Sequence, residues 1–443
     1  MPFAKPPTGE LRWLPPQKPD GIPFDRVFDA THLPPSCPQY FSTVVGIYSD
    51  HVPQYLISGP MSEDCLQLSI WTPTNAQNLP VLFFITGGGF QVGGVDIPYQ
   101  LPHHWVQRTQ AHIVVTINYR MNIFGFPHAE GLEDQNLAIL DQRAALEWLR
   151  DNIKAFGGDP HRITMYGQSA GGVAVDYHIH AFADDPIVTG YFGQSGTAFL
   201  PVKSNDLGNT ISKFSHVAAS MNCSRNDPMA ELQCMRGVPW ETLNDFVGAW
   251  AGESGTSIPF NPVVDNKIVF EDYDYQYHLG KMSRLPAIFS TTRTEGNSFV
   301  PFAPEGVNET LAKQLGDFYF HCPTAYTTKL RQQAGLKTYR YVYSGNFSNN
   351  SPLPWMGAFH GSDLPMVFGT HEDFENGGGH STLFEYETAI AMQDMLLAFM
   401  IDPQSGLERK GWPSMNSGLA LDFGRDGTIM QNITLEQLDS DCH

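Results

Sequence analysis

The chain has 443 residues, and 26 Lys plus Arg against 46 Asp plus Glu give a formal charge of −20. Hydrophobic residues at 42% and aromatics at 12% supply a large core and exclude a disordered chain. The acidic balance, with no basic face in the sequence, excludes nucleic acid as a partner, and no apolar run reaches the ~18 residues of a membrane span.

Taken in order, Met1-Pro2-Phe3-Ala4-Lys5-Pro6-Pro7 has no apolar stretch of the signal-peptide kind. Residues 1–60 are rich in proline and turn formers and read as irregular wrapping. Leu66-Gln67-Leu68-Ser69-Ile70-Trp71 alternates apolar and polar, as a half-buried strand does. Val81-Leu82-Phe83-Phe84-Ile85 is a continuous apolar run that stops at Gly87-Gly88-Gly89, and 112–119 is a second, β-branched run. Continuous runs suit strands covered on both faces, as in a mostly parallel sheet. Leu137, Leu140, Ala144, Leu146, Leu149 and Ile153 recur at helical spacing, and Phe156-Gly157-Gly158-Asp159-Pro160 stops that helix. The strand 162–166 follows and runs into Gly167-Gln168-Ser169-Ala170-Gly171-Gly172. Strand, helix and strand in this alternation predict an α/β layer fold. Segments 205–255 and 302–335 read as helical or loop insertions, and 383–400 as a late helix. The apolar stretch 386–401 is broken by Glu387, Gln393 and Asp394, so it is not expected to span a membrane.

Six cysteines, at 37, 65, 223, 234, 322 and 442, show no CxxC spacing, so neither a metal site nor a redox motif is expected from them. Glycosylation triplets begin at Asn222, Asn308, Asn346, Asn349 and Asn432 and point towards secretion.

The main chemical signal is Gly167-Gln168-Ser169-Ala170-Gly171, a G-x-S-x-G directly after a strand. A nucleophile on a sharp strand-to-helix turn needs neighbours without side chains, and that turn lifts the serine hydroxyl clear of the sheet. Gly87-Gly88-Gly89-Phe90 at the end of an earlier strand supplies backbone N–H groups that can approach a substrate closely. Such donors lower the barrier to an oxyanion by about 3–4 kcal/mol each. Gly88 and Gly89 are the expected donors, with Ala170 as the third. A serine needs a base, and the base an orienting carboxylate, in the chain order Ser, acid, His. Of sixteen histidines, His360 in Ala358-Phe359-His360-Gly361-Ser362-Asp363 stands out. For the acid, Glu295 follows the apolar Pro286-Ala287-Ile288-Phe289, with Asp265 and Asp363 as rivals.

These motifs resemble the type-B carboxylesterases, the group of cholinesterases, carboxylesterases and large fungal lipases, and the fungal-type members most. The matching segments run the length of the chain: Phe3-Ala4-Lys5-Pro6-Pro7 with Leu11-Arg12-Trp13, Ser62-Glu63-Asp64-Cys65-Leu66, Asn118-Tyr119-Arg120, Asp141-Gln142-Arg143-Ala144-Ala145-Leu146-Glu147-Trp148, Gln194-Ser195-Gly196, Pro262-Val263-Val264-Asp265 and Phe320-His321-Cys322-Pro323. The resemblance implies an α/β-hydrolase fold over 1–443 as a single domain, with a central mostly parallel sheet flanked by helices and with the insertions forming a gorge. It implies a serine carboxylic-ester hydrolase that acts through an acyl-enzyme on an apolar ester or lactone, with no cofactor and no metal. An acyltransferase using the same residues, or a non-catalytic binding protein, is the alternative. Position by position it places the nucleophile on Ser169, the acid on Glu295, the base on His360 and the oxyanion hole on Gly88, Gly89 and Ala170. It pairs Cys37 with Cys65, Cys223 with Cys234 and Cys322 with Cys442, which fits secretion, and it sets Glu63 against Arg12 as a structural pair worth ~1 kcal/mol or less if exposed.

The sequence departs from the family in four places. Thr86 replaces the usual His or Tyr before the triple glycine, and Gln168 the frequent Glu before the serine. The loop 37–65 carries no tryptophan, only Tyr55 near the choline-stacking position, so a cholinesterase activity is not expected. The chain also starts at a motif that the family places some tens of residues in, so the usual first edge strands are expected to be missing.

Overall fold

A computed structural model describes residues 1–21, 27–41, 46–200, 212–254 and 258–442. Nine strands form one sheet: β1 (Leu68–Trp71), β2 (Leu79–Ile85), β3 (Ile113–Ile117), β4 (Gly158–Gln168), β5 (Gly190–Gln194), β6 (Ala287–Thr292), β7 (Thr338–Tyr343), β8 (Leu419–Arg425) and β9 (Thr428–Thr434). Their spatial order is β1-β3-β2-β4-β5-β6-β7-β8-β9, antiparallel only at β1/β3 and β8/β9 and parallel elsewhere. The chain has the α/β layering that its pattern predicted and the α/β-hydrolase architecture that the family resemblance implied.

The apolar runs explain the layering. On β2, Val81, Phe83 and Ile85 join one core cluster while Leu82 and Phe84 join the other. That alternation is the period of two by which a strand serves both faces. On the first face lie α2 (Leu137–Asn152) and α3 (Ala170–Ala181), through Leu146, Leu149, Val173 and Tyr177. On the second lie α1 (His103–Thr109), α9 (Leu364–Phe368) and α10 (Leu383–Ile401), through Trp105, Phe368 and Phe399. Among the described residues no helix is long and apolar enough to cross a membrane.

The insertion expected at 205–255 contains α4 (Lys213–Ser220), α5 (Pro228–Arg236) and α6 (Trp240–Ser254), whereas 205–211 and 255 lie outside the described residues. The segment 302–335 carries α7 (Glu309–Gly316), a π-turn at Asp317–His321 and α8 (Cys322–Gln333). Disulfides join Cys37 to Cys65, Cys223 to Cys234 and Cys322 to Cys442, closing loops of 28, 11 and 120 residues. On the chain-entropy account each is worth roughly 3–5 kcal/mol.

Two expectations need correction. Arg12 and Glu63 do pair, but they are buried, at 5% and 7% exposure, and bidentate, with Nε–Oε1 and Nη2–Oε2 both 2.6 Å. The guanidinium also reaches the Val238 carbonyl at 2.6 Å, so the pair fastens the N-terminal wrap to the α5–α6 turn. Removing one partner strands a charge in the interior at a cost of about 3–5 kcal/mol, well above the value for an exposed pair. Of the glycosylation triplets, Asn222, Asn308, Asn346 and Asn432 are exposed, but Asn349 is 2% exposed. Its side-chain amide is committed to the His371 carbonyl at 2.7 Å and to the Ser381 hydroxyl.

The core also contains imidazoles that disfavour charge. Burial lowers the pKa of His112, His178 and His180 to about 3, and of His128 and His371 to about 4. Below the ordinary histidine value of 6.5, the unfolded chain takes up protons that these five do not, so stability falls as the pH drops. Burial acts oppositely on Asp176 and Asp363, raised to about 6, and Glu385, raised to about 7, because there the fold holds the proton. Five against three leaves the histidines in excess. The urea midpoint is therefore expected to fall between pH 6.5 and pH 4.5; a midpoint that rises over that interval contradicts this balance.

Candidate active site

The carboxyl ends of β2, β4, β5 and β6 deliver the polar residues to one edge of the sheet, where open α/β sheets place their ligands. β4 ends at Gln168, and Ser169 turns the chain into α3 with φ +57° and ψ −122°. That backbone is costly for any residue with a Cβ, at about 1–3 kcal/mol. The turn is possible because Gly167 passes α3 so closely that a Cβ there would lie 2.1 Å from the Gly171 carbonyl oxygen. Among the described residues the Ser169 hydroxyl has no hydrogen-bond partner, and it borders a cavity of ≈ 730 Å³.

The same cavity is bordered by His360 and by Gly87, Gly88 and Gly89. Gly88 and Gly89 both have positive φ, and a Cβ on Gly88 would meet the Val92 carbonyl at 2.1 Å, so the loop requires glycine there. The Gly88 carbonyl accepts from the N–H groups of Gln91 and Val92. Ala170 is the first residue of α3, so its N–H has no carbonyl one turn back and is free for another acceptor. Thr86, the first departure from the family, donates to Gln100 Oε1 at 2.8 Å, and its carbonyl accepts the Tyr119 hydroxyl at 2.8 Å. The base of the glycine loop is thereby anchored without the usual ring.

Glu295 begins the loop after β6 and is wholly buried. Its Oε2 lies 2.6 Å from His360 Nδ1. Its Oε1 accepts from the Ser195 hydroxyl at 2.6 Å and from the Thr292 N–H at 2.7 Å. Burial opposes ionisation, but the His360 and His321 rings and the Ser195 hydroxyl outweigh it and hold the Glu295 pKa below the usual carboxylate range. A charged acceptor at Nδ1 fixes that nitrogen as the N–H and leaves Nε2 as the basic one.

The rival acids are engaged elsewhere. Asp265 pins its own loop by accepting from the N–H groups of Lys267, Ile268 and Val269 and from the Asn136 amide. Asp363 accepts the Tyr341 hydroxyl at 3.0 Å, and burial followed by the Glu295 charge raises its pKa to about 6.

Sequence reasoning named Gln168 and Tyr55 only as departures from the family and Phe320 only within a matching segment, and it missed Tyr48 altogether. Gln168 is buried, and its side-chain amide lies 3.2 Å from His360 Nε2, donating to that lone pair. The Tyr48 hydroxyl holds the His360 carbonyl at 2.7 Å, and Phe320 lies against the imidazole with ring centroids 4.3 Å apart. Tyr55 borders the cavity, with its hydroxyl bonded to Asn350 Oδ1 at 3.1 Å and to the Gly361 carbonyl at 3.2 Å. Leu56, Phe90, Ile97, Val173, Leu200, Phe299 and Leu364 give the remaining wall its apolar character. Ser195 lies within a segment recognised from sequence, but its contact is with a residue 100 positions away.

Comparison with known proteins is consistent with this arrangement. A family model described as "Carboxylesterase family" matches residues 1–310 and 303–440. The chain is 40% identical to the chlorogenic acid esterase of Aspergillus niger and 38% identical to secreted lipase 5 of Gibberella zeae; in both cases the match spans 100% of the chain and 89% of the relative. It is 27% identical to the cholinesterase of Mus musculus, over 83% of the chain and 69% of that protein.

Proposed function

Because this chain belongs to the carboxylesterase family and is a carboxylic ester hydrolase, we propose that it cleaves apolar esters through an acyl-enzyme on Ser169. One observation supports this above the others: a buried Glu295 carboxylate oxygen lies 2.6 Å from Nδ1 of a histidine that shares a cavity with a serine on a strained turn.

In the first step His360 Nε2 takes the Ser169 proton while Oγ bonds to the ester carbonyl carbon. The carbonyl electron pair moves to oxygen, where the N–H groups of Gly88, Gly89 and Ala170 meet it. Glu295 stabilises the imidazolium that forms. Collapse expels the alcohol, which carries away the proton from Nε2. Water then repeats the sequence on the acyl-enzyme, releasing the acid and restoring Ser169. For Nε2 to serve the serine, the Gln168 amide has to relinquish it, an adjustment in keeping with catalytic hydrogen bonds that align only when substrate is bound.

The apolar walls suit an acyl group or ring without charge, and the tyrosine hydroxyls at 48 and 55 are spent on backbone and side-chain bonds rather than on a ligand. The secreted relatives and the three disulfides support export of this chain, with glycan on the exposed triplets. The proposal is tested with diethyl 4-nitrophenyl phosphate, read by intact mass and peptide mapping. One diethylphosphoryl group per chain, on Ser169, with parallel loss of ester hydrolysis, is the expected result. Full labelling at another serine overturns the assignment.

A further inference from the structure

The first turn of α1 brings His103 and His104 against Asp373, in the loop that follows α9. One ligand atom from each of the three lies within 4.8 Å of the others. His104 Nε2 is 2.7 Å from Asp373 Oδ1, His103 Nε2 is 3.7 Å from Asp373 Oδ2, and the two imidazoles lie with centroids 4.0 Å apart. We propose that His103, His104 and Asp373 form a binding site for a divalent transition-metal ion of the zinc type.

The donor set carries the assignment. Two imidazoles and one carboxylate suit Zn²⁺ and its first-row neighbours, whereas Mg²⁺ and Ca²⁺ demand oxygen ligands. Two ligand atoms on a tetrahedral zinc, each roughly 2.0–2.1 Å from it, lie roughly 3.4 Å apart. The 2.7 and 3.7 Å separations bracket that value. All three side chains are partly solvent-exposed, at 39%, 37% and 26%, so small rotations can close the set around an ion and leave a face for water.

A surrounding set of groups is also in place. Glu372 Oε1 lies 3.9 Å from His104 Nδ1, the nitrogen an ion at Nε2 leaves over, and the Tyr386 hydroxyl donates to the other Glu372 oxygen. An ion on the Nε2 lone pair leaves the single proton of the neutral ring on Nδ1, facing Glu372. A carboxylate on the outer nitrogen is the usual partner of a metal-bound histidine. The site ties α1 to the loop after α9, and that loop is bonded to Tyr99, which packs behind the cavity residue Tyr55: Thr370 donates to the Tyr99 carbonyl at 2.9 Å, Asn376 to the Tyr99 hydroxyl at 2.7 Å, and the Tyr99 ring lies 4.8 Å from Tyr55. The sequence showed only adjacent histidines, because Asp373 is 269 positions from His104.

The test is titration of the metal-free chain with Zn²⁺ in competition with a chromophoric chelator, and the d–d absorption of a Co²⁺ complex. One equivalent is expected to bind, with a Co²⁺ spectrum of nitrogen and oxygen donors. His104→Ala and Asp373→Asn are expected to weaken binding by at least the roughly 10–100-fold that loss of a mere outer partner of a metal ligand brings, and His161→Ala, at an exposed histidine elsewhere, to leave it unchanged. Equal affinity in all four proteins, or a loss in His161→Ala alone, overturns the site. None of these residues belongs to the proposed ester-cleaving group, so hydrolysis by the metal-free variants continues and the two proposals fail independently.

Discussion

Ser169→Ala is expected to lower kcat on a 4-nitrophenyl ester by about 10⁵–10⁶-fold while leaving the fold intact. The size follows from removing the atom that forms the acyl bond; what survives is the smaller contribution of oxyanion donors and substrate binding. The stability expectation is equally specific. Ser169 sits at φ +57°, where the strain comes from having a Cβ at all, and alanine has the same Cβ. Among the described residues the hydroxyl has no hydrogen-bond partner to lose. An unchanged unfolding midpoint together with a collapsed rate assigns the loss to chemistry, whereas unchanged turnover removes the acyl-enzyme proposal.

Glu295→Gln is expected to lower kcat by about 10⁴-fold. The reason lies in which atoms the carboxylate faces. Thr292 N–H can only donate, and the Ser195 hydroxyl points at the same oxygen, so the amide oxygen of glutamine is drawn to that side. The NH₂ group then faces His360 Nδ1, which has to become the acceptor. The ring proton moves to Nε2, and the nitrogen needed to deprotonate Ser169 no longer has a lone pair. Steady-state kinetics with a burst measurement decide this: the acylation burst should vanish with the steady rate. A variant that keeps its burst would show that Glu295 does not set the tautomer.

Legibility in the sequence followed the physics of each element. β2 and β3 were visible because a strand covered on both faces is apolar at every position, and α2 because its apolar residues recur at helical spacing. β7 escaped notice although all six of its residues are buried. Its sequence, Thr338-Tyr339-Arg340-Tyr341-Val342-Tyr343, reads as polar, and its interior position depends on distant partners such as Asp439, which holds Arg340 at 2.7 Å. Ser169, Gly88 and Gly89 were legible since turns that strained leave few residue choices. Glu295 was separated from Asp265 and Asp363 only by family resemblance. In the structure the three differ by what each carboxylate touches, and contacts between residues 65 or 100 positions apart leave no local pattern. Tyr48 and Phe320 line the cavity from a short helix and a π-turn, whose positions depend on packing rather than on periodicity.

The amide at position 168 has a consequence for how the enzyme meets its surroundings. Between turnovers the lone pair of His360 is capped by a neutral donor rather than aimed at the serine. Unlike a carboxylate, an amide neither gains nor loses a proton in water, so position 168 adds no charge of its own beside the imidazole. On the mechanism proposed above, a substrate has to displace this amide before Nε2 can serve the Ser169 hydroxyl, so the serine rests unactivated until the cavity is filled.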